Sequence, residues 1–190
     1  MGSAYEIIAQ IIGIVAMGLN VISFVQKEHK TVITFQFFGS LLFVINYLML
    51  AAPTGAMMNA IALVRAIIFT NKEKFRADRP IWVGVFSIFY IAAYILTFTV
   101  FGKELSTRNI IVELLPVIAM VIQTISFVLP NAKDIRNFAY AVSPLWLTYN
   151  VINAAIGGVL CESFALISVT IGKLKHDRKK VSTNENNRNR

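Results

Sequence analysis

Apolar residues fill this chain in runs of about twenty positions, separated by short clusters rich in Lys, Arg, Asn, Gly and Pro. A helix needs about twenty residues to cross a hydrocarbon layer about 30 Å thick. Seven runs meet that need: Tyr5 to Gln26, Thr31 to Leu50, Thr54 to Thr70, Pro80 to Phe101, Asn109 to Leu129, Asp134 to Ile156 and Gly158 to Lys173. The third and seventh are the shortest. None shows the strict alternation of a barrel strand, and in lipid each unpaired backbone group costs several kcal/mol, so the runs predict helices. The segment before the first run lacks basic residues, and that run is longer than a signal-peptide core, so it predicts a retained span.

The stretch Ile22-Ser23-Phe24-Val25 returns as Ile125-Ser126-Phe127-Val128. The same shift of 103 residues aligns Ala16-Met17 with Ala119-Met120, Lys30 with Lys133, Ser40 with Ser143, Gly55 with Gly158, and Ala62-Leu63 with Ala165-Leu166. Small, basic and apolar residues all fall into register, which predicts an internal duplication of three spans. A second copy following directly would be inverted. The unduplicated run from Pro80 to Phe101 crosses once more and restores the orientation. The predicted fold is an all-α integral membrane protein of seven transmembrane helices, arranged as 3+1+3 with parallel triple-helix-bundle repeats. Its units are a first bundle at 5–70, an inner loop and linker helix at 71–101, a second bundle at 109–173, and a basic tail at 174–190 that should be disordered. Tight turns are expected at Ala51-Ala52-Pro53 and Ile156-Gly157-Gly158, because a proline starts a helix without losing a bond and glycines suit a sharp reversal.

Composition agrees with a membrane protein, at 56% apolar and 15% charged residues. The net charge of +8 does not imply nucleic acid, because the basic residues gather in the connections. With seven spans, fifteen Lys and Arg residues fall on one side and only Lys103 and Arg108 on the other. That asymmetry predicts a cytoplasmic carboxyl terminus and an amino terminus outside, in the cell inner membrane. A lone cysteine, Cys161, excludes an internal disulfide, and with His29 and His176 it makes no metal-ligand cluster. No metal or cofactor is expected.

Polar groups at membrane depth are the candidate functional residues. Glu113 and Glu162 each lie about one turn into a span, and the shift of 103 pairs them with the amides Gln10 and Asn59. They line a vestibule and carry a protonatable or cation-dependent step, or they reach the outer headgroups. Arg65 either snorkels to the inner headgroups or forms an inner gate. The amides Asn20, Gln123, Gln36, Asn46, Asn59, Asn150 and Asn153 suit a neutral polar solute, or bond between helices. Trp146, paired with Phe43, offers a flat face near the middle of its span. Pro116 and Pro144 favour kinks that would serve as hinges, while Gly13, Gly18 and Gly39 allow close helix contacts. Trp82 reads as an interface anchor.

The 3+1+3 plan resembles the SWEET sugar transporters and the wider PQ-loop superfamily, and is similar to the bacterial PnuC-type transporters. Gln36, Gly39, Asn46-Tyr47, Gly55, Asn59 and Arg65 resemble the bacterial inner membrane proteins of the YgjV family. The superfamily resemblance implies polar solute contacts at Asn59 and Glu162 and aromatic contacts at Phe43 and Trp146, with Asn46 and Asn150 nearby. Its Pro-Gln dipeptide is absent, since Leu19-Asn20 and Ile122-Gln123 occupy the two sites, and Glu162 argues against a plain sugar uniporter. The resulting expectation is a non-enzymatic transporter or facilitator for a neutral or weakly cationic polar metabolite, sugar-, nucleoside- or vitamin-like. Substrate would bind at Asn59, Glu162, Trp146, Phe43, Asn150 and Asn46. Gating or coupling would fall to Glu113, Arg65, Gln123, Asn20, Pro144 and Pro116. The alternative is a non-transporting membrane scaffold or regulatory protein. Expected partners are a small polar solute and the lipid bilayer, with self-association left open.

Overall fold

The computed structural model describes residues 4–23, 29–129, 132–167 and 169–170. These residues form eight helices and no strand: α1 Ala4–Ser23, α2 His29–Met49, α3 Pro53–Thr70, α4 Lys72–Phe75, α5 Ile81–Thr99, α6 Thr107–Val128, α7 Ala132–Ile152 and α8 Ile156–Ile167. The tail 174–190 and the centres of the two basic connections near residues 27 and 130 lie outside the described residues.

Four helices, α1, α3, α5 and α6, are long and apolar enough to cross a membrane. In α2 the apolar stretch is shorter, Phe37–Met49, and α8 is described over a comparable length. Local chemistry sets the ends. Pro53 opens α3, where its missing N–H breaks no helical bond. Ser106 caps α6, its hydroxyl accepting from the Asn109 amide at 3.2 Å. Pro116 lies buried within α6, whereas Pro144 lies on an exposed side of α7, and both helices continue past them. The short α4, which hydropathy did not reveal, ends at Arg76 in the left-handed conformation. Trp82 is half-buried and donates to the Phe75 carbonyl at 3.1 Å, so it ties this connection to α5.

Helix α2 packs between α1 and α3, α6 packs along α7, and α5 bridges α3 and α6. The outward side of α5 exposes Ile81, Ile88, Phe89, Ile91 and Ile95, an apolar surface suited to lipid contact. The start of α8 presses on α1: Gln10 donates to the Ala154 carbonyl at 2.7 Å and accepts from the Ile156 amide at 3.1 Å.

The turns joining α2 to α3 and α7 to α8 have matching backbones. Ala51 and Ala154, separated by 103 positions, both take positive φ, 51° and 52°. Ala52 N donates to Tyr47 O at 2.8 Å, and Ala155 N to Asn150 O at 2.9 Å, again 103 positions apart. Two sequence expectations change here. Helix α7 ends at Ile152, and α8 begins at Ile156, so Gly157 and Gly158 lie inside a helix. The reversal is made by alanine, with its bonds back into the preceding helix. The glycines serve packing instead: a Cβ at Gly157 would overlap the Gly13 backbone, and one at Gly158 would meet the Asn150 side chain.

Candidate functional site

A cavity of about 440 Å³ lies between α2 and α3 on one side and α7 and α8 on the other, with α1 and α6 contributing to its wall. Many lining positions come in pairs 103 apart: Asn20 with Gln123, Ser40 with Ser143, Phe43 with Trp146, Tyr47 with Asn150, and Asn59 with Glu162. The cavity therefore lies where equivalent positions of the two helix sets face one another.

At the end nearest the two turns the cavity is shut. Tyr47 donates its hydroxyl hydrogen to the Asn150 side-chain oxygen at 2.6 Å, and both residues are buried. Tyr47 stacks with Phe43 and Trp146 at ring-centroid distances of 5.9 and 6.2 Å. Behind this layer, Tyr149 accepts from the Gly55 amide at 2.9 Å. Gly55 is required there, because a Cβ would come within 3.0 Å of both tyrosine rings. This end is a packed aromatic plug held by hydrogen bonds, and opening it would separate α2 from α7.

Midway along the wall, Glu162 on α8 is half-buried beside the Ser143 hydroxyl. Opposite it on α3, Asn59 uses its amide to donate to the Gly55 carbonyl at 2.9 Å, leaving the side-chain oxygen for the cavity. The shift thus sets a carboxylate against an amide at matching depths, each the seventh residue of its helix.

Arg65 lines the cavity further from the plug and is 4% exposed. Its Nη2 donates to Gln123 Oε1 at 2.8 Å. Its Nη1 faces the Thr124 and Tyr90 hydroxyls at 3.2 and 3.3 Å, and the guanidinium lies 4.9 Å from the centre of the Phe127 ring. Arg65 therefore does not snorkel; hydroxyls and a glutamine on α5 and α6 hold it inside the protein. Its Nε is buried without an acceptor.

Of the substrate-binding candidates, Asn59, Glu162, Trp146, Phe43 and Asn150 line the cavity. Asn46 does not: it is fully buried and donates to the Ala9 carbonyl at 2.6 Å, joining α2 to α1. Of the gating candidates, Arg65, Gln123 and Asn20 line the cavity, whereas Glu113, Pro116 and Pro144 lie outside it. Glu113 is fully buried and paired with Lys103. The side chain of Gln36 lies outside the described residues. Tyr47 stands out in the sequence only within the Asn46-Tyr47 pair, although the shift of 103 pairs it with Asn150 and so marks it directly.

The model of the bacterial inner membrane protein family Imp-YgjV matches residues 7–180. The chain belongs to this family. Every cavity residue falls within the matched span. As a member of the Imp-YgjV family the chain is a bacterial inner membrane protein, consistent with its long apolar helices. Neither the curated proteins nor the solved structures contain a match to it.

Proposed function

We propose that this Imp-YgjV protein is a small-solute transporter or facilitator that passes a neutral or weakly cationic polar metabolite through the central cavity by alternating access. The observation that carries this reading is the cavity itself. Its wall pairs Asn59 with Glu162 and Phe43 with Trp146 across two helix sets, which gives hydrogen-bonding groups and aromatic faces to one solute. Tight apolar packing in that space would have favoured a scaffold.

In the same proposal the chain crosses the membrane seven times in a SWEET-like 3+1+3 plan. The units are 5–70, 71–101 and 109–173, followed by the tail 174–190, with the amino terminus outside and the carboxyl terminus cytoplasmic. The matching turns at Ala51 and Ala154 and the paired cavity wall support a duplication. The aromatic plug then closes the outer end. No covalent step is assigned to the chain, and its partners are the solute and the bilayer. The second reading, a non-transporting scaffold, draws on Arg65, whose bonds to α5 and α6 act as a cross-brace.

Uptake into proteoliposomes, scanned over sugars, nucleosides, vitamins and polyamines, tests the proposal. Flux of at least one solute is expected, with Glu162→Gln altering it several-fold. Absence of flux for every solute, with no phenotype for Glu162→Gln, would leave the scaffold. Reporter fusions at both termini test the orientation independently.

A further inference from the structure

Two ionisable side chains share the cavity wall without forming an ion pair. Glu162 and Arg65 both line it, and neither has an ion-pair partner among the described residues. Buried charges are stable when paired, and a guanidinium or carboxylate left alone in a low-dielectric site is costly. Hydroxyls, a backbone carbonyl and Gln123 hold part of Arg65, yet its Nε–H has no acceptor. The Ser143 hydroxyl beside Glu162 is neutral and gives the carboxyl group no ion-pair partner.

Their spacing follows from the helices. Glu162 and Asn59 occupy the seventh positions of α8 and α3, which leave the plugged end together, and Arg65 follows six residues after Asn59. At about 1.5 Å per residue, the backbone positions of the two groups are offset by roughly 9 Å along the cavity. Between them the wall is mainly apolar, with Ala62, Leu63 and Ala165.

We infer that the cavity is built for a dipolar solute, with a cationic group toward Glu162 and the plug, an anionic group toward Arg65, and an apolar or flat spacer between. This deepens the transporter proposal and rests on it only for the claim that the bound solute moves. The charge order follows from the two groups themselves, Glu162 on the side of Phe43, Tyr47 and Trp146 and Arg65 on the side of Gln123 and Phe127. A guanidinium recognises a planar carboxylate or a phosphate through its donor fork.

The test uses the unmodified full-length protein in a neutral detergent and a series of ω-amino carboxylates from glycine to aminooctanoate, with binding measured by calorimetry. Affinity should peak at a chain of several carbons and exceed that of glycine at least tenfold. Hexylamine and hexanoate, each lacking one charge of aminohexanoate, should bind at least tenfold more weakly than it does. Equal binding of all three would overturn the inference. In Glu162→Gln the advantage of aminohexanoate over hexanoate should vanish, and a retained advantage would also overturn it. Added phosphatidylethanolamine separates a lipid headgroup from a free solute: competition supports the two-charge site and assigns its occupant to lipid. Solute flux without any charge preference in binding would sink the dipolar inference while transport stands. Dipolar binding without flux would do the reverse.

Discussion

The two turns at Ala51 and Ala154 share a backbone and differ in what holds them. At the second, Gln10 from α1 both donates to the Ala154 carbonyl and accepts from the Ile156 amide. The position equivalent to Ile156 is Pro53, which has no N–H to offer, and the position equivalent to Gln10 is Glu113, which as a carboxylate cannot donate. The neutral clasp therefore has no counterpart at the first turn. Glu113 instead takes Lys103 from the loop before α6, and its second oxygen stays buried without a hydrogen bond. Two equivalent positions thus carry different chemistry, one an amide that satisfies both sides of a turn and the other a carboxylate in an ion pair drawn from the unduplicated segment. The second solution joins the linker to a bundle.

Breaking the ion pair should have the largest effect. Lys103→Met strands the Glu113 carboxylate, and a loss of about 3 kcal/mol is expected in reversible unfolding. Adding Glu113→Gln, which makes the site resemble Gln10, should restore most of it. A double mutant no more stable than the single would mean that the stranded carboxylate is not the source of the loss. Next comes packing behind the second turn. Gly157→Ala should cost about 2 kcal/mol, because the new methyl overlaps the Gly13 backbone, whereas Gly18→Ala meets open space and should gain about 0.5 kcal/mol. Thermal melts in detergent separate these signs. The smallest effect concerns the shared backbone. Ala51→Gly and Ala154→Gly should each stabilise by about 0.5 kcal/mol, since positive φ strains alanine and not glycine. Unequal gains in the same melts would show that the turns are less alike than their hydrogen bonds indicate.

Much of the helical layout is legible in the sequence, because apolar run length and the basic clusters between runs mark it directly. The cavity wall is legible too, through the shift of 103, since equivalent positions on facing helices meet across the interface. Arg65 shows where that stops. Its distance from the end of its run is compatible with snorkelling, but only the packing of α5 and α6 reveals the Tyr90, Thr124 and Gln123 groups that turn it inward. The partner of Glu113 was hidden for a similar reason, as Lys103 reaches it from a loop that hydropathy treats as solvent. The alanine reversal at Ala154 was hidden because the glycines nearby offered the more familiar explanation, and those glycines answer to close contact instead.

The Tyr47–Asn150 bond has a consequence of scale. A single neutral hydrogen bond contributes only about 1 kcal/mol, so under alternating access it biases the closed against the open conformer about fivefold and no more. Removing one oxygen atom, by Tyr47→Phe, would leave the rings stacked and change how often the door stands open. On the transporter proposal, the resting posture at that end would depend in part on a hydroxyl, and a solute able to bond with Asn150 in its place would shift it.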